Sequence, residues 1–267
     1  MKRFVAALSI AIIISTAFFA RAEGTSDSFM RVGKSLEYTT VKLSDVAERS
    51  KVVDVIERVE RDGVIFYEIT RTGEGDYDKY TNISWKATSK LEEREGRLLA
   101  QGGVTTLWDK SNEIITKMET HFDYANKKIY YKASDRQGNV IQKKAFPLKG
   151  RTINGFTMVY FLKTYIANRG DKDYTDFYLI SEEPKLYRIT LKDIGRETLD
   201  LPTGKTDTLK FRLVVQVGLL TGLAKGMIPP TFVWYKDSSP YECLGYQGLE
   251  SGLGTETIVM SLTDSQI

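Results

Sequence analysis

The sequence predicts a mainly β protein: a curled antiparallel meander sheet, an open barrel or clam, with one central helix near residues 152–168. Three observations predict it. Apolar and polar residues alternate along most of the chain, turn-forming residues interrupt the alternation at short intervals, and one segment alone carries a helical period.

The alternation is clearest in "KLYRITLK" (185–192), where Tyr187, Ile189 and Leu191 share one face and Arg188, Thr190 and Lys192 the other. In "TLKFRLVV" (208–215), Leu209, Phe211, Leu213 and Val215 form the apolar face. The same period runs through "VIFYEIT" (64–70), "YTNISWKA" (80–87), "KKIYYKAS" (127–134) and "TIVMSL" (257–262). Such segments fit half-buried strands of an antiparallel sheet. Between them, "RDG" (61–63), "YANKK" (124–128) and "RQGN" (136–139) supply residues that accept positive φ, so neighbouring strands connect as hairpins.

The exception is "TINGFTMVYFLKTYIANRG" (152–170). Met158, Phe161, Leu162 and Tyr165 recur at helical spacing, with Phe156, Val159, Tyr160 and Ile166 on the adjoining face. Asn168, Arg169 and Gly170 form a stop signal. Apolar residues cover much of the circumference, which requires burial on more than one side, as against the concave face of a curved sheet.

The N-terminal stretch has the parts of a secretory signal: basic Lys2 and Arg3, an apolar run from Phe4 to Ala20, and the small-x-small triplet Ala20-Arg21-Ala22. Cleavage is expected between Ala22 and Glu23, leaving a single β domain over 23–267 in the periplasm with no transmembrane segment. The full chain has 38 Lys+Arg and 35 Asp+Glu; three of the basic residues lie in the leader, so the remainder is balanced. That balance, with no basic stripe, argues against nucleic acid as a partner.

Sites of chemistry are scarce. Cys243 is the lone cysteine, so no internal disulfide forms, and His121 is the lone histidine. A buried thiol is the expected state of Cys243. One histidine far in sequence from one cysteine makes no zinc site, no G-x-S-x-G elbow occurs, and neither a cofactor nor a metal is expected. The run "DKDYTD" (171–176) lacks the length, central glycine and terminal glutamate of a calcium loop. Glu182 and Glu183 are neighbours on an expected strand and should face opposite ways, which separates them as an acid/base pair.

Two segments stand out. "PPTFVWYKDSSPYECLGYQGLESGLG" (229–254) reads as a strand, a turn at Asp237–Pro240, and a returning strand bent by Gly245, Gly248, Gly252 and Gly254. Its glycine spacing matches neither a Walker loop nor a dinucleotide fingerprint. Glu250, after Leu249, reads either as a solvated loop acid or as a carboxylate that closes a pocket mouth. "VGLLTGLAKGMIPP" (217–230) repeats glycine every four residues within apolar sequence, and Leu219, Leu223 and Met227 are read as a flap over the open sheet or as a buried crossover.

The order of features from the helix onward resembles a family of bacterial exported proteins catalogued only as a domain of unknown function. The likeness rests on Gly195 and Glu197 in a strand, Pro202, Gly204 and Thr208 in the following turn and strand, and Trp234, Asp237 and Pro240 in a hairpin. The resemblance implies a single antiparallel β clam or open barrel in the cell envelope, and it brings no catalytic residues with it.

The sequence therefore points to a non-enzymatic envelope protein that binds a hydrophobic ligand, a lipid or acyl group, in the concave face of its sheet. Phe156, Tyr160, Trp234 and Tyr246 are the expected lining, with Glu250 at the mouth. The alternative is an assembly module that holds an envelope protein partner and touches the membrane peripherally; a hydrolase of unknown class is the third reading.

Overall fold

Alternating side chains bury one face of most strands, and the strands join edge to edge. The structure, a computed structural model, describes residues 30–95, 97–167, 176–202, 204–216, 228–252 and 254–265. In chain order the strands are β1 (Ser35–Lys42), β2 (Glu48–Arg61), β3 (Val64–Tyr77), β4 (Tyr80–Arg94), β5 (Arg97–Trp108), β6 (Ile114–Asp123), β7 (Lys128–Asp135), β8 (Val140–Pro147) and β9 (Thr152–Asn154). Helix α1 (Met158–Ala167) follows. Then come β10 (Asp176–Ile180), β11 (Leu186–Leu201), β12 (Gly204–Gln216), β13 (Thr231–Lys236), β14 (Cys243–Leu249) and β15 (Thr257–Ser265).

All of these strands form one sheet in the order β8-β7-β6-β5-β4-β3-β2-β1-β15-β14-β13-β12-β11-β10-β9. Two meanders, β1–β8 and β9–β15, are joined where β1 pairs antiparallel with β15. Every ladder is antiparallel except the short parallel pairing of β9 with β10. The turn between β2 and β3 places Asp62 at φ 53° and Gly63 at φ 74°, as a two-residue hairpin of matching twist requires.

The sheet curls until its ends overlap without closing. Asn154 at the end of β9 donates from Nδ2 to Ser89 Oγ on β4 at 2.8 Å, so β9 meets the inner side of the other meander and leaves β8 without a ladder on its far edge. Gly103 on β5 makes room there: a Cβ on it would lie 3.1 Å from Asn154 Nδ2. The result is an open barrel rather than a closed one.

The helix is shorter than its sequence pattern suggests. Residues 152–154 are strand and 155–157 are turn, so the helix begins at Met158. Asn154 explains the boundary: its Oδ1 accepts from the Thr157 amide at 3.2 Å and holds the chain in a turn, while the Thr157 carbonyl accepts the Phe161 amide at 3.0 Å. The stop signal at 168–170 lies outside the described residues. Eight of the ten helical residues are buried, including Lys163 and Thr164. The expectation of a helix buried on several sides thus describes α1 as it stands.

Around α1 the main core gathers Ile56, Tyr67, Ile69 and Phe122 from the first meander with Phe177, Phe211, Val233 and Tyr235 from the second. A smaller core joins Leu36, Tyr38, Trp85, Leu244, Met260 and Leu262 across the β1–β15 seam. The Trp85 ring lies flat over Gly73, its cross-strand partner, and stacks on Tyr77 with centroids 5.0 Å apart. A Cβ on Gly73 would stand 2.1 Å from Trp85 Cζ2. The change Gly73→Ala should therefore displace the indole and cost about 1–3 kcal/mol, the usual range for overpacking. Thermal melts and tryptophan emission would show it. An unchanged melt with an unchanged spectrum would mean that the indole has room to move.

Candidate functional site

Charged residues at inward positions of the strands build the site. On β2, Asp54 shares the inward parity of Val52 and Ile56; on β3, Arg71 shares that of Ile69 and Gly73. The ladder sets the two directly opposite one another. Arg71 donates from Nε and Nη2 to the two Asp54 oxygens at 2.7 and 2.8 Å, and the Tyr160 hydroxyl on α1 donates to Oδ2 as well. Asp54 is fully buried. The Arg71 guanidinium lies 5.6 Å from the centroid of the Phe156 ring.

A second pair lies at the far end of the same strands. Arg49 donates to Glu250 from Nη2 at 3.0 Å and from Nε at 3.3 Å, and the Asp78 amide donates to Glu250 Oε2 at 2.8 Å. Although accepting these bonds, Glu250 keeps a raised pKa, because burial of the carboxylate outweighs them. Glu182, in the connection after β10, accepts the Tyr77 hydroxyl. Burial raises the Glu182 pKa, and the Tyr77 bond and the Arg71 charge oppose that rise.

Between these groups and the helix lies a cavity of about 190 Å3. One wall carries Arg71, Tyr77, Glu182 and Glu250, and the remainder is mostly apolar, with Val52, Trp85, Val159, Leu213 and Met260 among its members. A smaller recess of about 30 Å3 adjoins it, sharing Gly155, Phe156, Ser181 and Glu182. The arrangement gives an apolar chamber with one charged end. Among the described residues, no group of three or more His, Cys, Asp or Glu is placed to hold a metal.

Three of the five lining residues read from the sequence face this cavity: Phe156, Tyr246 and Glu250. Tyr160 does not, because its ring packs in the core and its hydroxyl is committed to Asp54. Trp234 does not either. Val233 and Tyr235 take the inward parity on β13, so Trp234 lies on the outer face, its indole N–H bonded to Glu197 and Lys210 Nζ 5.1 Å from its ring. Leu219, Leu223 and Met227 lie outside the described residues, although Ile228, just beyond them, lines the cavity.

The remaining candidates find separate places. Glu182 is turned in towards Tyr77, while Glu183 is exposed and pairs with Lys185 at 2.8 Å. His121 is exposed on β6. Residues 171–175 of the acidic run lie outside the described residues, and Asp176 pairs with Arg188 at 3.1 Å. Asp237 pairs with Arg196 across the outer face. Cys243 is buried beside a second ionic cluster, in which Lys163 of α1 lies 3.3 Å from Glu242 and Arg31 lies 2.5 Å from it. Burial pushes the Cys243 thiol up to about 12.

Sequence reading missed Asp54, Arg71 and Tyr77. The signal for the first two was present, since each is a charge at an inward position of an alternating strand. Sequence places Glu182 beside Glu183, whereas the acids near it in space are Asp78 and Glu250, the latter 68 positions along.

Residues 110–241 match the DUF3108 family, described as a protein of unknown function. The match takes in the Gly195–Pro240 motif residues and Glu182, and ends before Glu250. No curated protein matches the chain. Among solved structures, the chain is similar to a β-barrel-like protein of a domain of unknown function, DUF1849, from Brucella abortus. The two are 9% identical with a TM-score of 0.49, over 87% of this chain and 96% of that one. It is also similar to a protein from Bacteroides fragilis described as exported with a YmcC-like fold, at 8% identity and a TM-score of 0.36, covering 89% and 97% of the two chains.

Two outcomes are expected. Cys243→Ser should leave binding intact at a stability loss of about 1–2 kcal/mol, and the native thiol should resist alkylation until the protein unfolds. Prompt alkylation of the folded protein would contradict this. The second concerns Glu182. A carboxyl whose folded pKa is raised binds more protons folded than unfolded, so its contribution to stability falls as pH climbs above the ordinary carboxyl range. Glu182→Gln removes that loss and keeps an acceptor for Tyr77. The melting temperature of the variant should exceed that of the parent by a margin that widens from acid to neutral pH. A constant margin would exclude burial as the cause.

Proposed function

We propose that this chain is an envelope protein that holds a hydrophobic ligand, a lipid or acyl group, in the chamber between its curled sheet and α1. The observation that carries the reading is the chamber itself. Its volume of about 190 Å3 far exceeds the roughly 10–15 Å3 that admits one water, and its walls are mostly apolar. An apolar chain entering it leaves water at little conformational cost to the protein, while a few polar groups at one end fix its direction. The leader pattern of residues 1–22 supports export to the periplasm.

A second reading, capture of an envelope protein partner, is favoured by β8. Among the described residues that strand has no neighbour on its far edge, and Val140 and Ile141 on it are exposed. Such an edge can take an added strand from another chain. The chamber favours the ligand reading, because a protein working only through its edges has no use for an apolar chamber of this volume.

The full chain purified from its own envelope should carry a bound mass in native mass spectrometry that organic extraction removes. Extracted protein should then take up phenylnaphthylamine, an uncharged apolar dye. Ala87 lines the chamber, so Ala87→Leu should fill part of it and weaken dye uptake while the melting temperature changes little. Protein that carries no adduct and takes up no dye, or a leucine variant that binds as the parent does, would sink this reading.

A further inference from the structure

The charged end of the chamber is not balanced. The Arg71 charge is met by Asp54 through two hydrogen bonds, and the Arg49 charge by Glu250 through two more. Glu182 is left with a phenol: Tyr77 donates to its Oε2, and among the described residues no donor meets its Oε1. The groups that face this carboxyl are Arg71 and Tyr77 on β3, Asp78 in the following turn, Tyr131 on β7 and Glu250 after β14. Two of those five are acidic, and the one cation among them is already committed to Asp54. A carboxylate beside an apolar chamber without a cation of its own is costly unless something else supplies the charge.

The surroundings of Glu182 suit a cation. Tyr77 and Trp85 stack in the chamber wall, and Phe156 and Tyr246 face the same space. Aromatic faces attract ammonium groups, and the attraction is larger where water is excluded. An anionic headgroup would meet Glu182 and Glu250 with both guanidinium groups occupied.

Resting on the reading of the chamber as a hydrophobic-ligand site, we propose that its ligand is an amine-bearing amphiphile whose ammonium group pairs with Glu182 while its chain lies along the apolar walls. Glu182 sets the headgroup preference and the walls set the affinity for the chain.

Three probes of equal chain length separate the possibilities: decylamine, decanol and decanoate, titrated into extracted full-length protein and followed by calorimetry and tryptophan fluorescence. The amine should bind at least about tenfold more tightly than the alcohol, and decanoate most weakly. In Glu182→Gln the amine should fall to the level of the alcohol while alcohol binding is unchanged, a result that loss of structure would not give. Tyr77→Phe keeps the carboxylate and should keep the preference for the amine. Equal binding of amine and alcohol by the parent protein, a preference for decanoate, or an amine preference that survives Glu182→Gln overturns the proposal and leaves the chamber reading standing. Binding of none of the three overturns both. The comparison within the parent protein decides the matter even where a variant fails to fold.

Discussion

A carboxylate with no exposure to solvent ties two strands of the first meander to the helix. Asp54 accepts from Arg71 on the adjacent strand and from Tyr160 on α1, so β2, β3 and the helix share one buried charge. Removing one member of such a cluster typically costs about 3–5 kcal/mol, because the charge left behind is buried and unpaired. Set against a total stability of about 5–15 kcal/mol for a domain, one such loss is decisive. The helix is fixed at its other points by contacts of the same kind. The Tyr235 hydroxyl donates to the Val159 carbonyl at 2.8 Å, and Lys163 meets Glu242, which also binds Arg31. Apolar packing alone would let a nearly all-apolar helix rotate within the sheet; these polar contacts specify one orientation.

The chamber follows from a mismatch of lengths. A ten-residue helix is about 15 Å long, whereas β2, with fourteen residues, extends about 46 Å. A helix tied to the middle of such strands fills only part of the space that the curled sheet surrounds. The cavity touches the helix at its N-terminal end, where Gly155, Phe156, Met158 and Val159 line it, and continues beyond towards Glu250. Asn154 sets that end. By holding the chain in a turn and anchoring it to Ser89, it starts the helix six residues later than the apolar pattern alone suggests.

The strands and their inward faces were legible because period-2 alternation is a local property, and so were the hairpins, whose turn residues carry their own geometry. The helix was legible as a helix, but its start was not, since Asn154, which holds the turn before it, is itself anchored by Ser89 of a distant strand. The site was legible only in part. Tyr246 and Glu250 follow from the hairpin near the C-terminus, yet parity alone places Trp234 outside. Glu182 and Glu250 come together only because the sheet curls, and no spacing in a linear sequence records that. Asp54 and Arg71 were readable in principle: a charge interrupting the apolar face of a strand has either a partner opposite it or a function.

That last distinction separates the charges within this fold. Asp54 with Arg71, Arg49 with Glu250, and Lys163 with Glu242 and Arg31 each place a carboxylate against at least one cation. Each is explained by architecture: Arg49 with Glu250 and Lys163 with Glu242 tie elements far apart in sequence, and Asp54 joins its neighbour Arg71 to Tyr160 of the helix. Glu182 differs in its partner: its bond to Tyr77 also links distant parts of the chain, but through a neutral phenol, and the same bond would form with glutamine. A chain under pressure only to be stable would replace a half-buried acid of this kind by a neutral residue that keeps the bond. Where a charge gives no structural gain over a neutral residue, the gain is to be sought in what the site holds. The residue standing there faces the cavity, beside aromatic rings, at the one end of the chamber that carries charge.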